Sequence, residues 1–81
     1  MPNRHRTAEE FAFNATVGKN IKYLRKARNL NQSKVGAALS VSFQQIQKYE
    51  KGANGVSAIR LKQLAEKFNV SMDVLADPNM I

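Results

Sequence analysis

The chain has 81 residues, which is room for one small domain and excludes a multidomain protein. Thirteen lysines and arginines against six acidic residues give a formal net charge of +7, which favours a polyanionic partner, with nucleic acid ahead of a membrane surface. Cysteine is absent and His5 is the one histidine, so a disulfide framework and structural zinc are excluded, and we expect no metal or cofactor.

We expect a folded, soluble protein of the cytoplasm. Apolar residues make up 43% of the sequence, which is enough for a core. The N-terminus lacks the apolar run of a signal peptide, and no stretch approaches the ~20 apolar residues that a membrane span needs.

The first predicted helix has apolar residues at the i, i+4, i+7 spacing of one helix face: Val17, Ile21, Leu24 and Ala27. It should end near Arg28, because Asn29 is suited to a left-handed stop. Two starts are possible: a capping box from Thr7 to Glu10, or a cap at Asn14.

The second predicted helix begins after Asn31, a good N-cap, and runs to about Leu39. Its inward side chains are expected to be Val35, Ala38 and Leu39. Only Ser40 and Val41 separate it from the next helix, so the two are joined by a tight turn. This is the layout of a helix-turn-helix.

The third predicted helix opens with a capping box of the S-x-x-Q kind at residues 42–45 and runs to about Glu50 or Lys51. Gly52 stops it.

Two further helices complete the chain. Ser57 can cap the fourth, which carries Ile59, Leu61, Leu64, Ala65 and Phe68 and ends at Asn69. Ser71 can cap a last turn or two over residues 72–76, which Asp77 and Pro78 terminate. No segment shows sustained strand alternation, so the predicted fold class is all-α with five helices.

The segment NLNQSKVGAALSVSFQQIQKYEKG resembles the DNA-binding domain of lambdoid phage repressors, Cro proteins, restriction-modification controller proteins and many small bacterial regulators. Four features carry the resemblance: Gln32 opens the first motif helix, Gly36 lies where the helices pack closely, Ile46 anchors the second helix, and residues 50–52 close it. The resemblance implies a compact lambda repressor-like domain over residues 16–77. Residues 1–15 are then an N-terminal extension and residues 78–81 a C-terminal tail.

The sequence departs from this family at two places. Ser40 stands at a turn position where the family often has glycine, so we expect a backbone strain of roughly 1 kcal/mol there. The loop of residues 53–55 lacks the basic residue that relatives often place on a phosphate, so that contact is expected to be weaker or made by backbone amides.

The third helix would be the recognition helix, and at ~100° per residue its outward face centres on Gln44 and Lys48. The predicted base-contacting residues are Phe43, Gln44, Gln45, Gln47 and Lys48. A glutamine amide can pair with adenine, a lysine can donate to guanine, and a phenylalanine can pack on a thymine methyl group. The alternatives are a solvated glutamine face, a phosphate contact for Lys48, and packing of Phe43 at the rim of the core.

Phosphate contacts are expected around the start of the second helix, where unpaired N–H groups favour an anion. The residues assigned to them are Asn31, Gln32, Ser42, Lys51 and Asn54. By contrast, three lysines of the first helix are expected to lie on a solvated face and to contribute only long-range attraction: Lys19, Lys22 and Lys26.

The resemblance also implies a partly buried ion pair between Arg25 and Glu50, which would lock the recognition helix to the first helix. The alternative is two separately solvated side chains.

The first fifteen residues allow more than one interpretation. Arg4, His5 and Arg6 could form an arm along the DNA backbone or into the minor groove, or a frayed tail. Phe11 and Phe13 suggest that the chain packs from about Thr7 onwards, on its own core or on a partner subunit.

The leading functional hypothesis is a transcription regulator that binds double-stranded DNA as a homodimer on a two-fold-related operator. The expected dimer surface contains Val70, Met72, Val74, Leu75, Met80 and Ile81. The alternative is an antitoxin whose main partner is a toxin protein and whose DNA binding is autoregulatory. An enzyme is rejected, because one histidine and scattered carboxylates assemble no catalytic constellation.

Overall fold

The computed structural model describes residues 7–81, and these residues form five helices and no strand. The predicted all-α class is therefore confirmed. The helices are α1 (Ala8–Ala27), α2 (Gln32–Leu39), α3 (Phe43–Glu50), α4 (Ala58–Phe68) and α5 (Met72–Ala76). Among the residues described, no helix is long and apolar enough to cross a membrane.

Helix α1 begins at the earlier of the two predicted starts. The Thr7 N–H donates to Glu10 Oε1 at 2.8 Å, and the Glu10 N–H donates to Thr7 Oγ1 at 3.1 Å, which completes a capping box. Asn14 lies inside the helix. Residues 8–15 are thus helical and continuous with the rest of α1, while the predicted arm of residues 4–6 lies outside the described residues.

The caps of the next three helices form as the sequence predicts, with a side-chain oxygen accepting a backbone N–H three residues on. The pairs are Asn31 with Lys34 at 2.8 Å, Ser42 with Gln45 at 3.2 Å, and Ser57 with Arg60 at 3.3 Å. The capping box predicted at residues 42–45 forms only in half: Ser42 caps α3, but the Gln45 side chain does not accept the Ser42 N–H. The predicted cap at Ser71 is wrong: its backbone is extended, but its side chain makes no capping hydrogen bond.

Residues in the left-handed region end or join the helices. Asn29 has φ 56° after α1, and Asn69 has φ 58° after α4, so both predicted asparagine stops are confirmed. Ser40 has φ 58° in the turn between α2 and α3, which confirms the left-handed conformation expected at this non-glycine residue. Gly52 follows α3 at φ 72°, and α5 ends at Ala76, directly before Asp77 and Pro78.

The core lies between the five helices: α1 packs on α3, α4 and α5, and α2 packs on α3 and α4. Its buried apolar residues are Val17, Ile21, Leu24, Val35, Leu39, Ile46, Tyr49, Leu64, Ala65, Phe68 and Leu75. Three apolar residues of the predicted helices are exposed: Ala27 and Ala38, which were predicted to face inward, and Ile59 of α4. Ile59 lies about 200° around α4 from Leu61, Ala38 lies about 80° from the Val35 and Leu39 stripe, and Ala27 is the last residue of α1.

Candidate nucleic-acid interface

Helices α2 and α3 approach each other at Gly36. The Val41 N–H donates to the Gly36 carbonyl oxygen at 2.9 Å. A Cβ atom at Gly36 would lie 2.6 Å from the Val41 carbonyl oxygen, closer than real Cβ atoms come. The glycine is therefore required for this turn, and the predicted close packing of the two motif helices is confirmed.

Helix α3 buries one face and exposes the other. Ile46 and Tyr49 are buried, and Phe43, Gln44, Gln47 and Lys48 are exposed, while Gln45 is half-buried. The predicted rotational setting therefore holds for four of the five candidate base contacts. Gln45 lies at the border of the exposed face.

Helix α1 supports α3 through a close backbone contact that the sequence interpretation missed. A Cβ atom at Gly18 would lie 2.7 Å from the Glu50 carbonyl oxygen and would clash with that of Tyr49. The one signal for this contact was a glycine inside an otherwise helical pattern. Gly18 lets the C-terminal end of α3 rest directly on α1.

Arg25 and Glu50 form a bidentate ion pair between α1 and α3. Arg25 Nε donates to Glu50 Oε2 at 2.5 Å, and a terminal nitrogen of Arg25 donates to Oε1 at 3.1 Å. The Arg25 and Glu50 side chains are 10% and 4% exposed. The other terminal nitrogen of Arg25 donates to the Leu30 carbonyl oxygen at 3.0 Å, so the pair also ties down the segment before α2.

Gln32 joins this pair. Its Nε2 donates to Glu50 Oε1 at 3.1 Å, so one carboxylate accepts hydrogen bonds from both α1 and α2. The contact fixes the orientation of the Gln32 amide and leaves its second hydrogen for another acceptor. Sequence interpretation assigned Gln32 to a phosphate and did not foresee its bond to Glu50.

A cleft beside this network collects positive charge. It is lined by Lys22, Arg25, Lys26, Asn31, Gln32, Gln47, Glu50 and Lys51. Because Arg25 and Glu50 neutralise each other, the three lysines give the cleft its net charge. Lys22 and Lys26, expected to be only a solvated face, thus line the same cleft as the predicted phosphate contacts Asn31, Gln32 and Lys51.

The two remaining candidate phosphate contacts, Ser42 and Asn54, flank α3 along the chain. Ser42 is exposed and its hydroxyl oxygen already caps α3. Asn54 is half-buried in the loop after α3. This loop packs on α1, since a Cβ atom at Gly52 would lie 3.1 Å from the Ala15 Cα.

The predicted dimer residues divide into three groups by exposure. Met72 and Ile81 are 37% and 56% exposed, and Val70, Val74 and Met80 are half-buried against the core. Leu75 is wrongly assigned to the surface: it is fully buried, because α5 is a single turn and must use its one large inward side chain to attach to the core.

Residues 21–75 match a helix-turn-helix family model. The chain belongs to this Cro/C1-type helix-turn-helix family, as the α2, turn and α3 geometry indicates. No solved structure matches the chain significantly.

Relatives of this chain are named as transcriptional regulators or as an antitoxin. The chain is 43% identical over 63 residues to the uncharacterized HTH-type transcriptional regulator y4aM of Sinorhizobium fredii, covering 78% of this chain and 44% of that protein. It is 44% identical over 59 residues to an uncharacterized transcriptional regulator in the ATPase CF(0) region of Rhodospirillum rubrum, covering 73% and 55%. It is 35% identical over 66 residues to the antitoxin PezA of Streptococcus pneumoniae, covering 80% and 42%. The chain thus spans about half the length of these relatives or less.

Proposed function

We propose that this helix-turn-helix protein is a sequence-specific DNA-binding transcription regulator that reads the major groove with α3. The observation that carries the proposal is the exposed polar face of α3 beside a cleft lined by three lysines. Base-reading groups and phosphate-binding groups are thereby presented side by side, which is the arrangement that sequence-specific recognition needs.

The side chains on this face supply the chemistry of base reading. Gln44 and Gln47 carry amides that can donate and accept at the N6 and N7 edge of adenine. Lys48 can donate to guanine O6 and N7, and the exposed ring of Phe43 can pack on a thymine methyl group. Gln45 is half-buried, so we assign it at most a contact at the margin of the face.

The cleft supplies the phosphate contacts. Lys22, Lys26 and Lys51 attract the phosphate backbone of DNA. The N–H groups in the first turn of α2 that have no partner within the helix favour a phosphate at that end. The Gln32 amide, held by Glu50, can donate its second hydrogen to the same phosphate. Asn31, Ser42 and Asn54 complete the proposed contacts on either side.

The proposed assembly is a homodimer on a two-fold-related operator, because one recognition helix reads too few base pairs for useful discrimination. Self-association is expected at the C-terminal surface, which we define as Val70, Met72, Val74, Met80 and Ile81. All thirteen lysines and arginines precede residue 69, and the segment after it carries Asp73 and Asp77. Two copies of a +7 chain therefore repel each other least at this end.

The test is the selection of bound sequences from a random pool of DNA duplexes with the full chain. We expect an inverted repeat whose half-sites are centred one helical turn apart, ~34 Å. Recovery of no enriched sequence would contradict the proposal. Enrichment of a single unrepeated site would retain DNA reading and refute the homodimer.

A second candidate function is that of an antitoxin with autoregulatory DNA binding. Its support is the relative named antitoxin PezA, which matches 80% of this chain. The discriminating experiment is purification of the chain expressed together with its neighbouring genes. A stoichiometric partner protein that is toxic when expressed alone would favour the antitoxin, and a homogeneous chain would favour the regulator.

A further inference from the structure

Asn20 is a fully buried polar residue whose amide nitrogen makes hydrogen bonds and whose amide oxygen makes none. Its Nδ2 donates to the carbonyl oxygens of Asp77 at 2.9 Å, Leu75 at 3.0 Å and Val74 at 3.4 Å. Its Oδ1 is buried and has no hydrogen-bond partner. An unpartnered buried acceptor is unfavourable, so an aliphatic side chain of similar size would suit this position better unless the donor group has a role.

The amide nitrogen of Asn20, which belongs to α1, caps the C-terminal end of α5. Helix α5 has five residues, and the last carbonyl groups of any helix lack partners within the helix. A single turn is also too short to be stable by itself. Ser71 makes no capping bond at the other end, so the Asn20 amide gives α5 its side-chain hydrogen bonds to α1, and the buried Leu75 side chain and the contacts with α4 complete its attachment.

Helix α5 and the tail after it carry most of the C-terminal surface. Met72 and Ile81 are exposed there, and Val74 and Met80 are half-buried. The direction in which these side chains point is therefore set by the position of α5 on α1. Asn20 donates hydrogen bonds from α1 to that helix.

Asn20 is separated from the DNA-reading part of the molecule by the geometry of α1. Gly18 contacts the C-terminal end of α3, and Asn20, two residues later, lies about 200° around the helix and contacts α5. A change at Asn20 therefore alters the α5 side of α1 and leaves the α3 side in place.

We infer that Asn20 is a positioning residue for self-association: its amide fixes α5 so that the C-terminal surface fits a second copy of this chain. The inference rests on the homodimer proposed above. It adds a buried residue of α1, outside the C-terminal surface, that controls whether two copies pair.

The experiment is sedimentation equilibrium of the full chain for the parent, Asn20→Leu, Asn20→Ser and the control Lys19→Ala. Lys19 is the exposed neighbour of Asn20. We expect the dissociation constant of the dimer to rise by about tenfold or more in Asn20→Leu, because its side chain donates no hydrogen bond. Asn20→Ser keeps one donor and should fall between the parent and the leucine variant, and Lys19→Ala should match the parent.

Amide hydrogen exchange gives the readout that separates positioning from general stability. In Asn20→Leu the backbone amides of residues 74–77, 79 and 80 should lose protection by about tenfold, while those of α3 keep theirs. If Asn20→Leu does not fold, Asn20→Ser carries the comparison.

Four results would overturn the inference. A monomeric parent refutes the homodimer and this inference with it, and the parent alone reveals that outcome. A dimeric parent whose leucine variant associates equally well refutes the role of Asn20 and retains the homodimer. Equal loss of protection across α3 and α5, or failure of both Asn20 variants to fold, shows that Asn20 supports the whole fold instead.

Discussion

Ser40 occupies a backbone conformation that most side chains avoid, and the structure keeps it because the turn between α2 and α3 requires it. Its φ of 58° joins two helices that are separated by Ser40, Val41 and Ser42 alone. Gly36 is needed for the same turn, since any Cβ atom at this position of α2 would overlap the Val41 carbonyl group. The tightness of the turn is thus set by two single residues.

Ser40→Gly should raise the free energy of unfolding by up to about 1 kcal/mol, because glycine adopts a left-handed conformation without steric cost. The measurement is urea denaturation followed by circular dichroism. The control is Ala37→Gly on the exposed side of α2, where glycine should lower the free energy of unfolding by roughly 1 kcal/mol. Equal losses in the two variants would show that Ser40 is unstrained.

Gln44→Ala should lower the affinity for a selected duplex by ~1–3 kcal/mol and relax the preference at one position in each half-site. The dependence of binding on salt should stay nearly unchanged, because an uncharged amide releases no counterion. Fluorescence anisotropy with the selected duplex and single-base variants measures both effects. An unchanged base preference would shift the assignment to Gln47.

Lys51→Ala is the matched charged variant. It should weaken binding to all duplexes about equally and flatten the log–log salt slope by roughly one unit. A change in base preference for Lys51→Ala would show that this lysine reads a base.

Helix α3 is fixed at its C-terminal end by two different contacts with α1. Gly18 allows the backbones to touch, and the Arg25 and Glu50 pair links the side chains. Gln32 extends the link to α2 through the same carboxylate. Removing one partner of such a buried pair leaves the other charge uncompensated, which is costly.

Arg25→Ala and Glu50→Ala should each lower the melting temperature by about 12 °C or more, which corresponds to a loss of ~3 kcal/mol or more in a domain of this size. Specificity should persist in whatever fraction remains folded, because neither residue faces the exposed side of α3. The control is Lys62→Ala, which breaks the exposed pair of Lys62 and Glu66, with side chains 58% and 63% exposed. Exposed pairs contribute little, so this variant should melt within about 4 °C of the parent.

Charge is distributed unevenly over the whole molecule. Lysines from α1 and the end of α3 meet at one cleft, while residues 69–81 carry two aspartates and no basic residue. The molecule therefore has a cationic side, which the proposed function assigns to DNA, and a less charged end, which it assigns to a second copy. Helix α1 connects the two, because opposite faces of it contact α3 and α5.

DNA binding should weaken steeply as salt concentration rises, because each neutralised phosphate releases a counterion. Lys22→Ala and Lys26→Ala should each flatten the log–log slope by roughly one unit, and Lys67→Ala, outside the cleft, should change it less. Filter binding over a range of salt concentrations measures the slopes. A parent slope near zero would contradict the proposed function.

The sequence by itself determined the helices, because their signals are local. Capping side chains, asparagine or proline stops and apolar residues at helical spacing predict α1 to α5 without knowledge of the packing, although the Ser71 hydroxyl makes no capping bond in α5. The helical spacing also predicts which face of α3 is exposed, since Ile46 and Tyr49 lie on one side of the helix and are buried together. The start of α1 stayed open because Thr7 and Asn14 offer equivalent caps.

Only the tertiary structure decided which residues meet across helices. The bond from Gln32 to Glu50 joins residues 18 positions apart, and the bonds of the Asn20 amide beneath α5 join residues 54 to 57 positions apart. No helical periodicity encodes such separations, or the meeting of Lys22 and Lys26 with Lys51 at the cleft. The burial of Leu75 was missed for the same reason. Its apolar character suits a dimer surface as well as a core, and only the packing of α5 on α1 and α4 selects the core.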